Sequence, residues 1–148
     1  MTDRQSPPTA HTRPEGVSDA TVDATGKLSE ALETVERARG HLYAFHQLMG
    51  HADLLAGEAA DLLHEAGHEE IAERLLDEII GRNIAEGRWT FQLVEEFDDG
   101  YWAGFREFEK RVRDELVAGR RHLFEAEMKE ARRTPGRRRH EARPAEGQ

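Results

Sequence analysis

The sequence predicts an all-α fold: an antiparallel three-helix bundle with two long helices, completed by dimerisation. Three observations predict it. Val94, Phe97, Tyr101, Phe105, Phe108, Val112, Leu116 and Leu123 recur three, four or seven residues apart, which at about 100° per residue places them on one helix face. A second apolar line runs through Leu28, Leu32, Val35, Leu42, Phe45, Met49, Ala52, Ala59 and Leu63. Between the two lies a short amphipathic stretch around Leu75 and Ile79.

Three segments divide the 148 residues. Residues 1–26 contain Pro7, Pro8 and Pro14 among Ser, Thr and Asp, and read as a disordered N-terminal arm. Residues 27–133 read as the helical domain, and residues 134–148 as a disordered basic C-terminal tail.

The first long helix, A, is predicted from about Leu28 to Ala66, with Thr25 as its N-cap. Its apolar line drifts backwards, as near-heptad spacing does, which suits left-handed, coiled-coil-like packing. Gly40, Gly50 and Gly57 interrupt it. Gly50 and Gly57 share a face with Ala56 and Ala60, a pattern that predicts close approach of another helix or of bulky rings. Gly67 suits a left-handed residue just past the helix end.

Helix B is predicted from about Glu69 to Asn83, with Ile71, Ala72, Leu75, Leu76, Ile79 and Ile80 on its apolar face. A loop is expected within residues 82–88. Helix C then runs from about Trp89 to Arg133, bending at Asp98-Asp99-Gly100, until Pro135-Gly136 stops it. Pairs such as Glu33–Arg37, Glu70–Arg74, Glu107–Arg111 and Glu109–Arg113 have the spacing for surface ion pairs.

The predicted lengths are about 58 Å for A, 22 Å for B and 65 Å for C at 1.5 Å per residue. The short helix does not cover both long ones. Part of the apolar stripes stays open in a monomer, especially near Phe108–Leu123, and open patches of that kind meet another chain. A homodimer through the helix C aromatics is therefore expected, Phe105 and Phe108 among them.

Composition removes several functions. The chain has no cysteine, which excludes disulfides, thiolate metal sites and thiol nucleophiles. Only Ser29 among the serines lies near the predicted fold, and no Gly-x-Ser-x-Gly elbow occurs. The three lysines, Lys27, Lys110 and Lys129, sit in polar surroundings that disfavour Schiff-base chemistry. No run reaches the roughly 20 apolar residues of a membrane span, and the first residues lack a signal-peptide core, so a cytoplasmic protein is expected. Residues 132–148 hold six arginines and two glutamates; subtracting that +4 from the total of −9 leaves −13 on the rest. An acidic body repels phosphates, so nucleic acid is expected to bind only through the arginine-rich tail.

Eight histidines raise the question of metal. His41, His46 and His51 are five apart and do not share a face. His64 and His68 have the i,i+4 spacing that can chelate, near Asp61 and Glu65, but Gly67 interrupts the helix between them. Glu65-x-x-His68 has the form of a di-iron ligand motif, yet no second copy exists. A subtler set is His46 and Asp53 on a flank of helix A with Glu115 and His122 on a flank of helix C. Each pair spans two turns, so neither offers both members to one ion. Arg120-Arg121-His122 could hold a phosphate, but cations are favoured near a helix C-terminus without one. These weighings predict no catalytic residue, no cofactor and no resident metal.

At Gly81-Arg82-Asn83, Gly87-Arg88-Trp89-Thr90-Phe91 and Arg121-His122-Leu123-Phe124-Glu125-Ala126-Glu127-Met128-Lys129 the chain resembles small uncharacterised helical proteins of actinobacteria. The resemblance spans Leu28 to Thr134 and implies a helical fold and no particular activity. Taken together, the expectation is a self-associating interaction, scaffold or regulatory module without catalysis. The alternative is a ferritin-like or histidine/carboxylate metal-binding bundle.

Overall fold

A computed structural model of the chain describes residues 6–143. It is all-α: no β-strand occurs among the described residues. A 3₁₀ turn at Thr9–His11 precedes α1 (Asp19–Glu65), α2 (Glu69–Glu78) and α3 (Thr90–Phe97). A π-helical segment, Asp98–Trp102, joins α3 to α4 (Ala103–Val117), and α5 (Leu123–Arg132) follows. Two compact units result: residues up to Thr34 together with those from Phe105 onward, and Val35–Gly104.

The first unit corrects the expected N-terminal boundary. Helix α1 begins at Asp19 rather than Leu28. Its cap is Ser18, whose Oγ accepts the Thr21 amide hydrogen at 3.1 Å. Thr25 lies inside the helix instead, buried, with its hydroxyl donating back to the Thr21 carbonyl at 3.0 Å. Val22 is buried against Val117 and Leu123, with Val17 packed beside them. One apolar residue in a polar stretch thus orders a segment that composition alone assigned to the arm. Residues 1–5 and 144–148 of the expected arm and tail lie outside the described residues.

The expected helix C is divided. After Val117, Ala118 and Gly119 take left-handed backbone angles, φ 55° and 72°, and His122 does so again at 58°. The Gly119 amide reaches back to the Arg113 carbonyl at 2.9 Å. An alanine seldom adopts this conformation. Tertiary contacts hold it: Arg113 donates to the Gly119 carbonyl at 3.1 Å and to Glu109 at 2.7 Å, while Ser29 donates to the same Glu109 oxygen at 2.9 Å. Glu109–Arg113, expected as a surface pair, is a buried one with side chains 8% and 11% exposed.

In the second unit, α1 ends as expected. Gly67 has φ 85°. The His68 amide bonds to the Leu63 carbonyl at 2.8 Å and the Gly67 amide to that of His64 at 3.0 Å, the paired bonds of a Schellman motif. Helix α2 stops at Glu78, short of Asn83. Asp53 then anchors the following turn by accepting the Gly81 amide hydrogen at 2.8 Å. A bridge between Ala85 and Arg88 closes the loop. Gln92 caps α3 by accepting the Trp89 amide hydrogen at 2.9 Å. Ala60, Ala72 and Val94 are the buried apolar positions here. A Cβ at Gly40, Gly50 or Gly57 would meet nothing within 4 Å, so the close approach expected at Gly50 and Gly57 is not formed within the chain.

The bend expected at Asp98–Gly100 is the π segment. Asp98 accepts a two-pronged bond from Arg39 at 2.8 and 3.1 Å and the Tyr43 hydroxyl hydrogen at 2.7 Å. Arg39 also lies 3.8 Å above the Trp102 ring. In this unit Val94 is buried and Asp98 and Trp102 are half-buried; on α4, in the first unit, Glu109 and Val117 are buried and Phe105 and Arg113 half-buried. Tyr101, Phe108 and Leu116 of the expected apolar stripe are exposed; Phe108 and Leu116 fall in the stretch near Phe108–Leu123 that the sequence leaves open.

Candidate functional site

In the first unit, α1 presents Thr25, Ser29 and Glu33, each one turn from the last, to the loop that opens α5. The approach is close: a Cβ on Gly26 would stand 3.0 Å from Phe124. Leu123 is the buried anchor of α5. His122 occupies the N-cap position, and its carbonyl accepts the Ala126 amide hydrogen at 2.8 Å. Its left-handed backbone turns the ring toward α1. Glu33, His122 and Glu125 then offer ligand atoms that all lie within 4.8 Å of one another. A small pocket beside them is lined by Ser29, Arg113 and Arg120 among others.

The preceding segment is tied to the same loop. The His11 Nδ1–H donates to the Arg121 carbonyl at 2.8 Å. The His11 and His122 rings are 6.2 Å apart between centroids. Arg120 donates to the Thr12 carbonyl at 2.6 Å. Arg13 makes two bonds to Glu127 at 2.9 and 3.1 Å and one to Asp19 at 2.7 Å. Those partners, Glu127 first, raise the Arg13 pKa above its ordinary value.

An imidazole nitrogen and two carboxylates suit a borderline divalent ion such as zinc. Glu33 and His122 are exposed and Glu125 is half-buried, so water would complete the coordination.

The sequence-derived candidates divide between the two units. His46 bonds through Nδ1 to the Thr90 hydroxyl at 2.7 Å, at the first residue of α3. Asp53 holds the Gly81 turn. Both have structural tasks in the second unit. Glu115 is exposed on α4 in the first unit, and the break at 118–122 destroys the seven-residue register it shared with His122. His64 and His68 are separated by the Gly67 reversal; His64 lies 3.8 and 3.9 Å from Glu69 and Glu73. Of the expected set only His122 joins the cluster. Glu33 and Glu125 were missed, because their meeting depends on the α4–α5 turn. The usable signal was Ala118-Gly119, a helix-ending pair ahead of a fresh apolar run.

The tail is folded back where it is described. Arg133 is buried, pairs with Glu130 at 2.5 Å and donates to the His140 carbonyl at 3.2 Å. Arg143 donates to the Ser6 carbonyl at 2.7 Å. Among the described residues, no helix is long and apolar enough to cross a membrane. Comparison with family models, with curated proteins and with solved structures gave no match.

Proposed function

We propose that this chain is a self-associating interaction module, acting as a scaffold or regulator rather than as an enzyme. One observation carries the reading. The middle of α1 leaves Phe45, Leu48, Leu55 and Leu62 exposed along one side, apart from the face that it turns into its own unit. Open apolar groups at this density mark an interaction surface. Phe108 and Leu116 on α4 form a second open surface, part of the expected aromatic interface. Phe105 is half-buried and belongs to the fold instead.

Sedimentation of the untagged full chain over a range of concentrations tests the reading. A concentration-dependent rise above the chain mass of 16.8 kDa supports it. A monomer throughout counts against it. Replacing Phe108 by Asp asks whether the α4 surface takes part, since its exposed side chain can change without opening the core.

A second reading rests on Glu33, His122 and Glu125. On it, the first unit binds a divalent transition metal ion. Calorimetric titration with zinc should then show one site per chain that His122→Ala removes. Unchanged heat in the variant would defeat it.

A further inference from the structure

The exposed side chains on α1 are ordered along the helix. Phe45, Leu48, Ala52, Leu55, Ala59 and Leu62 follow alternating steps of three and four, the a and d spacing of a coiled-coil seam. All six are exposed; the large ones stand at 42%, 64%, 49% and 64%. The seam is about 26 Å long at 1.5 Å per residue. The face that α1 turns into its own unit is different, running through the half-buried Leu42, His46, Met49, Asp53 and Leu63 and the buried Ala60. The helix therefore has one occupied stripe and one vacant stripe.

The order of large and small residues says what fits the vacant stripe. In a parallel pair in register, each residue would face its own copy. Ala52 would meet Ala52 and Ala59 would meet Ala59, between layers of leucine on leucine that hold the helices apart. Voids would result, and voids are costly. Reversing one helix about a twofold axis between Ala52 and Leu55 changes every layer. Leu48 then faces Ala59, and Ala52 faces Leu55. Each of the four inner layers holds one large and one small side chain, and Phe45 closes each end on Leu62.

Charge agrees with this arrangement. The residues bordering the seam on its open side are His51 and Glu58, seven apart and both exposed. The same twofold brings His51 of each copy beside Glu58 of the other, so a hydrogen-bond donor meets a carboxylate twice. A parallel pair would set Glu58 against the apolar flank at Leu63.

We infer that α1 pairs antiparallel with α1 of a second copy of this chain through the Phe45–Leu62 stripe, about a twofold axis between Ala52 and Leu55. The inference rests on the self-association reading and adds its surface, partner and register.

The chain has no cysteine of its own, so introduced thiols report the register without background. Leu48→Cys and Ala59→Cys are made in separate full-length chains, one carrying a purification tag that distinguishes the masses. Mixed, reduced and slowly oxidised, they should give mainly the mixed disulfide-linked dimer. Positions 48 and 59 are too far apart on one helix to bond within a chain. Predominant cross-linking of Leu48→Cys to itself would mean a parallel pair and overturn the inference. A second variant, Leu48→Glu with Leu55→Glu, should raise the dimer dissociation constant by at least about 100-fold with helical circular dichroism retained. A dimer that survives this variant and fails to cross-link leaves self-association standing and removes this interface. A wild-type monomer removes both.

Discussion

At the residue scale, the first unit depends on a few side chains in unusual positions. Glu109 and Arg113 are buried together, and each has a second partner, the Ser29 hydroxyl and the Gly119 carbonyl. Removing one charge leaves the other unpaired away from water. Glu109→Ala should therefore cost about 3–5 kcal/mol in denaturant unfolding, while the apolar double replacement Glu109→Leu with Arg113→Met should recover much of it. Leu123→Ala opens the small core at Val22 and Val117 and should cost about 2–5 kcal/mol. Asp98 gives a pH dependence of definite sign. The Arg39 guanidinium first, and then the Tyr43 hydroxyl, hold its carboxyl below the ordinary value of 3.8. A depressed carboxyl contributes stability that is present above 3.8 and is lost as pH falls from there through the lower folded value. Asp98→Asn should flatten that part of the acid-unfolding curve; an identical curve would separate Asp98 from acid stability.

At the scale of elements, α1 contains glycines that its own chain does not use. A methyl at Gly50 or Gly57 meets nothing within 4 Å, so Gly50→Ala and Gly57→Ala should each stabilise the helix by about 1 kcal/mol, seen as a higher thermal midpoint. Gly67 is the opposite case, since its φ of 85° strains any side chain. The sequence disclosed much at this scale. Helical periodicity, the Gly67 reversal and the loop before α3 were all legible, because each depends on residues close in sequence. The division of helix C was not. Its signal, Ala118-Gly119, is weak, and the left-handed alanine persists through bonds from Arg113, which answers to Glu109 and so to Ser29 far away in the chain. The π segment was half legible. Asp98-Asp99-Gly100 announced an irregularity, but its direction depends on Arg39 and Tyr43. Likewise, of the candidate cluster only His122 was readable, because Glu33 and Glu125 reach it through the turn.

At the scale of the whole molecule, the amino-acid pattern specifies more apolar surface than either unit covers. The stripe on α1 is ordered by size, which argues for a defined partner rather than general stickiness. Its neighbours His51 and Glu58 supply opposite hydrogen-bonding character at matching positions. The basic C-terminal residues contribute less free charge than their number suggests, since Arg133 is turned inward on Glu130. Self-association, rather than binding through the tail, is therefore the central claim. Sedimentation equilibrium of the wild-type full chain beside Leu48→Glu with Leu55→Glu tests it most directly. The account predicts twice the 16.8 kDa chain mass for the wild type at micromolar concentration and a folded monomer for the variant. A wild-type protein that remains monomeric at hundreds of micromolar would contradict it.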